Sequence, residues 1–411
     1  MTAKHKNVLA LTYWSYQDAL IQSYTLPYLR IMKRYLPAGS KIYLVTLEQQ
    51  HLKMTREERE ESGRKLAEEG IHLIAFDYSR FGLKAMIKWP VLIIRLLALC
   101  YRRRITHLHA WCTPAGGVGY ILSKLMGIPL FLDSFEPHAE SMVENGTWRK
   151  GGLAFKVLFL LEKLKSRHAQ AAIATTEGVR GYAKEKYGAS PEKFYVKPAS
   201  VDLEMFSARF IKDAALLRQF DLCGKVVCVY AGKIGGIYLE QEIFDFFKAA
   251  SSYWGDRFRA LLLTSADEAK IRGLAVSSGL DPEIIISRFV EHKDIARYMG
   301  LGDFAINPVK PVPTKRYCTS IKDGEYWAMG LPVVIPPNIS DDSDIIKENR
   351  IGSVIVDFTE QSYLNAIKEI DELLKKYSRE ELFDKIRSVA VKYRSISETE
   401  KIYQELYGDP V

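Results

Sequence analysis

The sequence predicts an α/β protein made of two successive parallel-sheet halves. Three observations carry this. Apolar runs of strand length alternate with longer amphipathic segments along the whole chain, the pattern of repeated βαβ units. The chain has 411 residues, enough for two domains of ordinary size. A strand followed by a glycine-rich turn and a helix start occurs in each half, after Trp111 and after Ala231.

In the first half, strands are expected at Asn7–Thr12, Lys41–Leu47, Ile71–Phe76, Thr106–Trp111, Leu130–Asp133, Ala169–Thr175 and Lys193–Pro198. Helices are expected at Ala19–Tyr35, with Pro27 as a possible kink, at Thr55–Glu69 and at Met86–Tyr101. Thr55 with Glu58 three residues on reads as a capping box. Pro114–Gly119 reads either as a loop that lets backbone approach a ligand or as a plain tight turn, opening a helix at Tyr120. In the second half, strands are expected at Val226–Ala231, Phe258–Thr264, Ile284–Phe289, Gly302–Asn307, Val333–Ile335 and Gly352–Val356. Helices at Leu239–Ala250, Asp267–Ser278, Glu291–Met299, Gln361–Tyr377, Arg379–Lys392 and Ser397–Tyr407 complete the reading.

Composition removes several function classes. The apolar fraction of 47% and charged fraction of 26% are those of a globular chain with a sizeable core. No run of eighteen uninterrupted apolar residues occurs, so no membrane-spanning helix is expected. The basic then apolar N-terminus reads as a first strand and not as a signal peptide, because its apolar stretch is short. Five cysteines without a CxxC pair point to a reducing cytosol and away from disulfide frameworks and zinc knuckles. His107 and His109 alternate on one strand face near Cys112, but no fourth metal ligand is evident. The net charge of +8 suits anionic partners. No helix-turn-helix, zinc-finger or RNA-binding pattern is present, so nucleic acid is not expected. Basic residues gather beside apolar ones in Arg80–Arg104 and Trp148–Arg167, which makes a membrane surface a candidate contact.

The chemistry gathers in Thr319–Pro337. Lys322 and Glu325 stand three apart at a helix start, so they share one face. Gly330 and Pro332 then stop the helix before a short β-branched strand. A helix start offers free backbone N–H groups to a phosphate, Lys322 adds a cation, and Glu325 can accept hydrogen bonds from sugar hydroxyls. A surface ion pair is the plain alternative. The turn Gly232-Lys233-Ile234-Gly235-Gly236 makes a second diphosphate cradle, without the P-loop spacing. In the first half, His138 leaves the carboxyl end of a strand between Glu136 and Glu140, where open parallel sheets bind ligands; a structural loop histidine is the alternative.

Four phrases in this order, EPHAE, ASVDLEMF, VYAGKIGG and SIKDGEYWAMGLPVV, resemble glycosyltransferase family four, the retaining nucleotide-sugar enzymes of GT-B fold. The family's wording at the last three is near NGVDxxxF, YxGRxxxxKG and KxxEYxAxGxPVV. The resemblance implies two Rossmann-like domains facing each other across a cleft. It implies an acceptor-side domain at 1–205, a donor-side domain at 206–385, and C-terminal helices at 386–411 crossing back. It implies nucleotide-sugar binding by Gly232, Lys233, Ser320, Lys322 and Glu325, with Lys233 on the diphosphate and Glu325 on the ribose. His138, Lys233 and Glu325 are the implied catalytic set, with His138 near the donor sugar. No metal and no separate cofactor are implied.

The chain departs from the family at several points. The second cation of the glycine turn has no match in GKIGGIYLEQE, Tyr317 stands where a first glutamate falls, and Ser15, Gln17 and Ala19 replace glycines of the first-domain loop. The expected activity is retaining transfer of a sugar to a glycan or lipid-linked acceptor in cell-surface polysaccharide synthesis, in the cytoplasm or on the inner membrane face. A nucleotide-sugar epimerase of the same fold and a non-catalytic nucleotide-sugar binder stand beside it as alternatives.

Overall fold

A computed structural model describes residues 5–18, 20–78 and 83–408. The predicted helix start at Ala19 and the Arg80 that heads the basic apolar segment lie outside them. The chain divides into two compact units, Met1–Lys197 with Ser397–Val411, and Pro198–Ile396. The join phrase Pro198–Phe206 therefore belongs to the second unit, where Val201 and Phe206 are buried in the core. The chain returns to the first unit at Ser397, eleven residues after position 386, because Ile386, Val389 and Ala390 still pack into the second core.

The first unit holds seven strands: β1 Val8–Leu11, β2 Ile42–Glu48, β3 Ile71–Asp77, β4 His107–Trp111, β5 Leu130–Phe135, β6 Ala171–Ala174 and β7 Lys193–Val196. They pair in parallel in the order β3-β2-β1-β4-β5-β6-β7. The second unit holds β8 Val226–Ala231, β9 Phe258–Leu263, β10 Ile285–Arg288, β11 Phe304–Ile306, β12 Val333–Ile335 and β13 Gly352–Val354. These are also parallel, in the order β10-β9-β8-β11-β12-β13. In both sheets the chain winds outward one way and then resumes beside its first strand. The switch points, where such sheets bind ligands, lie at β1/β4 and β8/β11.

Alternation decides which side of each strand meets which layer of helices. Along β8, Val227, Val229 and Ala231 enter one core, while Cys228 and Tyr230 enter the other. Both faces of the sheet are thus covered, as parallel sheets require. The capping box at Thr55 is formed in both directions, with the Glu58 amide donating to Thr55 Oγ1 at 3.2 Å and the Thr55 amide to Glu58 Oε2 at 2.8 Å. Pro27 falls in the first turn of the α-helix Leu26–Tyr35, directly after a π-helical turn Leu20–Thr25, so its missing N–H removes no bond from the α-helix.

The Pro114–Gly119 stretch is neither a ligand loop nor a turn. The helix Thr113–Met126 already includes it. A Cβ on Gly119 would lie 2.8 Å from Leu130 Cδ1, so this glycine lets the helix sit close on the sheet. The helix Leu83–Arg103 buries Leu96, Leu99 and Cys100 and exposes Val91, Ile94 and Tyr101 beside Arg95, Arg102 and Arg103. No described helix is long and apolar enough to cross a membrane.

Candidate functional site

Backbone geometry builds the second unit's site before any side chain is considered. β8 ends at Ala231, and the chain leaves through Gly232 at φ +154°, Gly235 at +87° and Gly236 at +68°. These values favour glycine, so the turn cannot be an ordinary loop sequence. The loop after β11 comes alongside. Tyr238 and Val309 form an antiparallel bridge, and the Leu239 amide donates to the Pro308 carbonyl at 2.7 Å. The two switch-point loops are therefore stitched together.

The helix Ile321–Ala328 runs between β11 and β12 and is anchored to both the sheet and these loops. Its Tyr326 hydroxyl accepts the Ala231 amide at 2.9 Å, at the end of β8. Asn307, just past β11, donates to Ser320 Oγ at 3.0 Å and to Asp323 Oδ2 at 2.7 Å. Gly330 at φ +64° ends the helix, as its sequence position implies. Ser320 occupies the cap position, but its side chain makes no capping bond.

Lys322 crosses to the glycine turn. Its Nζ donates to Tyr238 Oη at 2.5 Å and sits 4.1 Å from the Tyr238 ring centre. A Cβ on Gly232 would lie 2.5 Å from Lys322 Cε, so Gly232 makes room for this lysine. Gly232 and Lys322, far apart in sequence, thus share one place. Lys233 is exposed, and its ammonium makes no ion pair among the described residues. Its carbonyl is held by the Tyr230 hydroxyl.

Glu325 lies one turn along the helix from Lys322 and is mostly buried. Its Oε1 is 3.9 Å from His292 Nε2, an ion-pair distance and too long for a hydrogen bond. Glu325 raises the His292 pKa, partly offset by burial, with Asp202 adding a smaller push upward. His292 follows β10 and was not singled out in the sequence. Its position after a strand end was the available signal.

In the first unit, His138 begins the helix His138–Glu144 and is half-buried. Glu140 Oε2 accepts the Tyr182 hydroxyl at 2.6 Å. Beneath the helix start lies Glu162, fully buried, which accepts the Ala139 amide at 2.9 Å and the Tyr187 hydroxyl at 2.9 Å. Burial pushes the Glu162 carboxyl up to about 7. Lys165, pushed down to about 8 by burial, donates to Thr113 Oγ1 at 2.9 Å. An open recess lies between the carboxyl ends of β2 and β3 and the helix Leu83–Arg103, lined by Leu47, Phe76, Asp77, Lys88, Trp89 and Arg95.

The two histidines of β4 serve the core. His109 bonds Asp133 at 3.1 Å and the Tyr407 hydroxyl at 2.8 Å, with no solvent exposure. All five cysteines are free. Among the described residues no group of three or more His, Cys, Asp or Glu is placed to hold a metal ion.

Two Rossmann-like parallel sheets, with a glycine turn and a cationic helix at the second switch point, define an α/β architecture of GT-B type. Residues 30–199 match the model of the glycosyl transferase 4-like domain. Across the whole chain, the structure of Anabaena HepE in complex with UDP superposes with a TM-score of 0.72 at 14% identity, covering 97% of this chain and 99% of that one. Sucrose-phosphate synthase from Thermosynechococcus elongatus gives 0.70 at 14% identity, covering 98% of each chain. WaaG, a glycosyltransferase involved in lipopolysaccharide biosynthesis, gives 0.67 at 12% identity, covering 98% and 100%. A curated relative, D-inositol 3-phosphate glycosyltransferase of Segniliparus rotundus, is 29% identical over 107 residues. That match spans 26% of this chain and 23% of the relative's length. The chain thus carries a match to a glycosyl transferase 4-like domain over residues 30–199, and its fold as a whole is that of the GT-B structures.

Proposed function

We propose that this protein is a retaining glycosyltransferase that holds a nucleotide diphosphate sugar on its second unit. The observation that carries this is Lys322 laid against Gly232 at the β8/β11 switch point, with Glu325 one turn away on the same helix. The solved complexes of HepE with UDP and with UDP-glucose support a uridine diphosphate sugar as the class of donor.

Each residue then has a task. The glycine-turn amides, Lys322 and Lys233 stabilise the diphosphate as its bond to the anomeric carbon breaks. Glu325 accepts the ribose hydroxyls, and Ser320 stands at the N-terminus of the helix that faces the phosphates. The acceptor hydroxyl oxygen forms the new bond to the anomeric carbon, and its proton passes to the leaving phosphate oxygen. No resident metal is needed, because side-chain cations and helix N–H groups carry the charge. His138 is the candidate from the first unit for hydrogen bonding to the donor sugar.

For the acceptor we favour a glycan or lipid-linked sugar of a cell-surface polysaccharide. The exposed apolar and basic face of Leu83–Arg103, which suits an anionic lipid surface, supports this, together with a peripheral location on the cytoplasmic side of a membrane. A panel of nucleotide sugars, scored by thermal stabilisation and by transfer to lipid-linked acceptors, tests the reading. One donor that stabilises the fold and is consumed with retention is the expected result. A well-folded protein stabilised by none of them would overturn it.

A further inference from the structure

The helix that carries Lys322 and Glu325 rests on buried charge. Asp323, between them in sequence, has no solvent exposure. Its Oδ2 accepts from Asn307, while its Oδ1 has no partner of the donor kind. Asp342, also buried, gives one oxygen to Arg394 and leaves Oδ2 without a donor. Asp342 lies within hydrogen-bonding reach of Asp323, so two carboxyl oxygens lacking donors meet in a water-poor core. Two ionised carboxylates cannot share such a place, and one proton between them satisfies both. Arg394 pairs with Asp342 and not with Asp323, so the shared proton belongs to Asp323. Burial and Asp342 together push the Asp323 carboxyl well above its usual range, against the opposing pull of Arg394 and Asn307.

Arg394 reaches further. It is 1% exposed and donates to Asp342, to Thr319 Oγ1 at the head of the helix, and to the Ala199 carbonyl at 3.3 Å. Its own carbonyl accepts the Val201 amide at 2.9 Å, and its guanidinium lies 5.3 Å from the Trp327 ring centre. Ala199 and Val201 belong to the segment by which the chain comes into this unit, and Arg394 stands just before the segment by which it leaves. Gly324 lets them close up, since a Cβ there would meet Arg394 Cγ at 3.3 Å and Val201 Cβ at 3.6 Å.

We infer that Asp323, as a neutral acid, is a positioning residue: with Asp342 and Arg394 it clamps the helix of Lys322 and Glu325 to the unit's two crossing segments and so sets the affinity for the nucleotide. The inference rests on the donor-site reading above. It does not require Asp323 to touch the ligand, because its side chain is buried on the opposite side of the helix from solvent.

The test compares Asp323→Asn with Asp323→Ala in the full chain. Asn keeps an acceptor for Asn307 and supplies an N–H for Asp342; Ala supplies neither. Two readouts are taken well below the melting temperature: hydrogen exchange of the 321–328 amides, and UDP binding by calorimetry. Asp323→Asn is expected to match wild type in both. Asp323→Ala is expected to speed exchange in that helix and weaken UDP binding about tenfold, the scale of one hydrogen bond to a charged group. If Ala does not fold, Asp323→Ser takes its place in the same comparison. Equal behaviour of Asn and Ala, or lowered melting temperature with unchanged UDP affinity, overturns the inference. A wild type that does not bind UDP, with the exchange pattern as expected, overturns the donor-site reading and leaves the clamp.

Discussion

The two units share one strand order and one winding, yet they bury charge differently. In the first, Lys197 at the end of β7 donates to Asp133 at 2.8 Å and to the Tyr403 hydroxyl at 2.9 Å, and Tyr403 donates to Asp133 at 2.8 Å. Tyr28 stacks on the ammonium 3.7 Å away, and His109 completes the carboxylate's partners. Asp133, Lys197, Tyr403 and His109 all find partners within this cluster. In the second unit the buried acid pair supports a helix whose Lys322 meets the glycine turn after β8 and whose Glu325 meets His292 after β10. The difference teaches that topology alone does not make a site. A saturated cluster ties the returning C-terminal helix to its sheet, whereas a cluster beneath a cation and a carboxylate is what the proposed donor site requires.

The comparison can be broken at the saturated cluster first. Asp133→Ala leaves the Lys197 charge buried without its partner, and such losses cost about 3–5 kcal/mol. Denaturant unfolding should show a fall of that order, with UDP binding by the second unit retained; a change below about 1 kcal/mol would mean the cluster is not charged as described. Asp133 also gives a sign for pH. Burial raises its pKa, but Lys197 and His109 outweigh this and hold it below the usual carboxylate range. A depressed carboxyl stabilises the fold above its unfolded pKa and loses that contribution as pH falls. Acid should therefore unfold wild type more steeply than it unfolds an Asp133→Asn variant.

At the second unit, Lys322→Ala should lower turnover about a hundredfold, the typical loss for one preorganised donor at a developing charge, with little change in melting temperature. Gly232→Ala sharpens the same point, because the added methyl must displace Lys322; nucleotide affinity should fall without loss of Lys322 itself. Glu325→Ala should raise the Michaelis constant for the donor about tenfold, with a smaller effect on turnover. The smallest effect concerns His292. Glu325 raises its pKa, so their pairing is present at acidic pH and lost as pH rises through the raised value. Donor affinity should improve modestly over that rise, since Glu325 is released to the ribose, and His292→Ala should flatten the profile.

Much of this was legible in the chain. Val226–Ala231 and Val333–Ile335 were readable to the residue, because buried parallel strands are short β-branched runs bounded by Gly and Pro. Gly232 and Lys322 were each visible as phosphate-type features. Their contact was not, since nothing local in sequence brings residues ninety apart together. The acid pair escaped for a related reason. Asp323 reads as an ordinary polar residue in a helix first turn, and the helix Asp342–Asn349 was not anticipated at all. Only packing reveals that Asp323, Asp342 and Arg394 converge. The helical glycines at 116, 117 and 119 misled because a Gly-rich stretch after a strand serves close packing as readily as ligand approach.

The most direct test of the central claim is calorimetric titration of UDP into wild type and into Lys322→Ala at one ionic strength. Saturable binding by wild type, weakened at least tenfold by the substitution while the melting temperature stays near wild type, is the predicted result. Equal affinity in the two proteins would contradict the assignment of the Gly232–Lys322 pair as the diphosphate site.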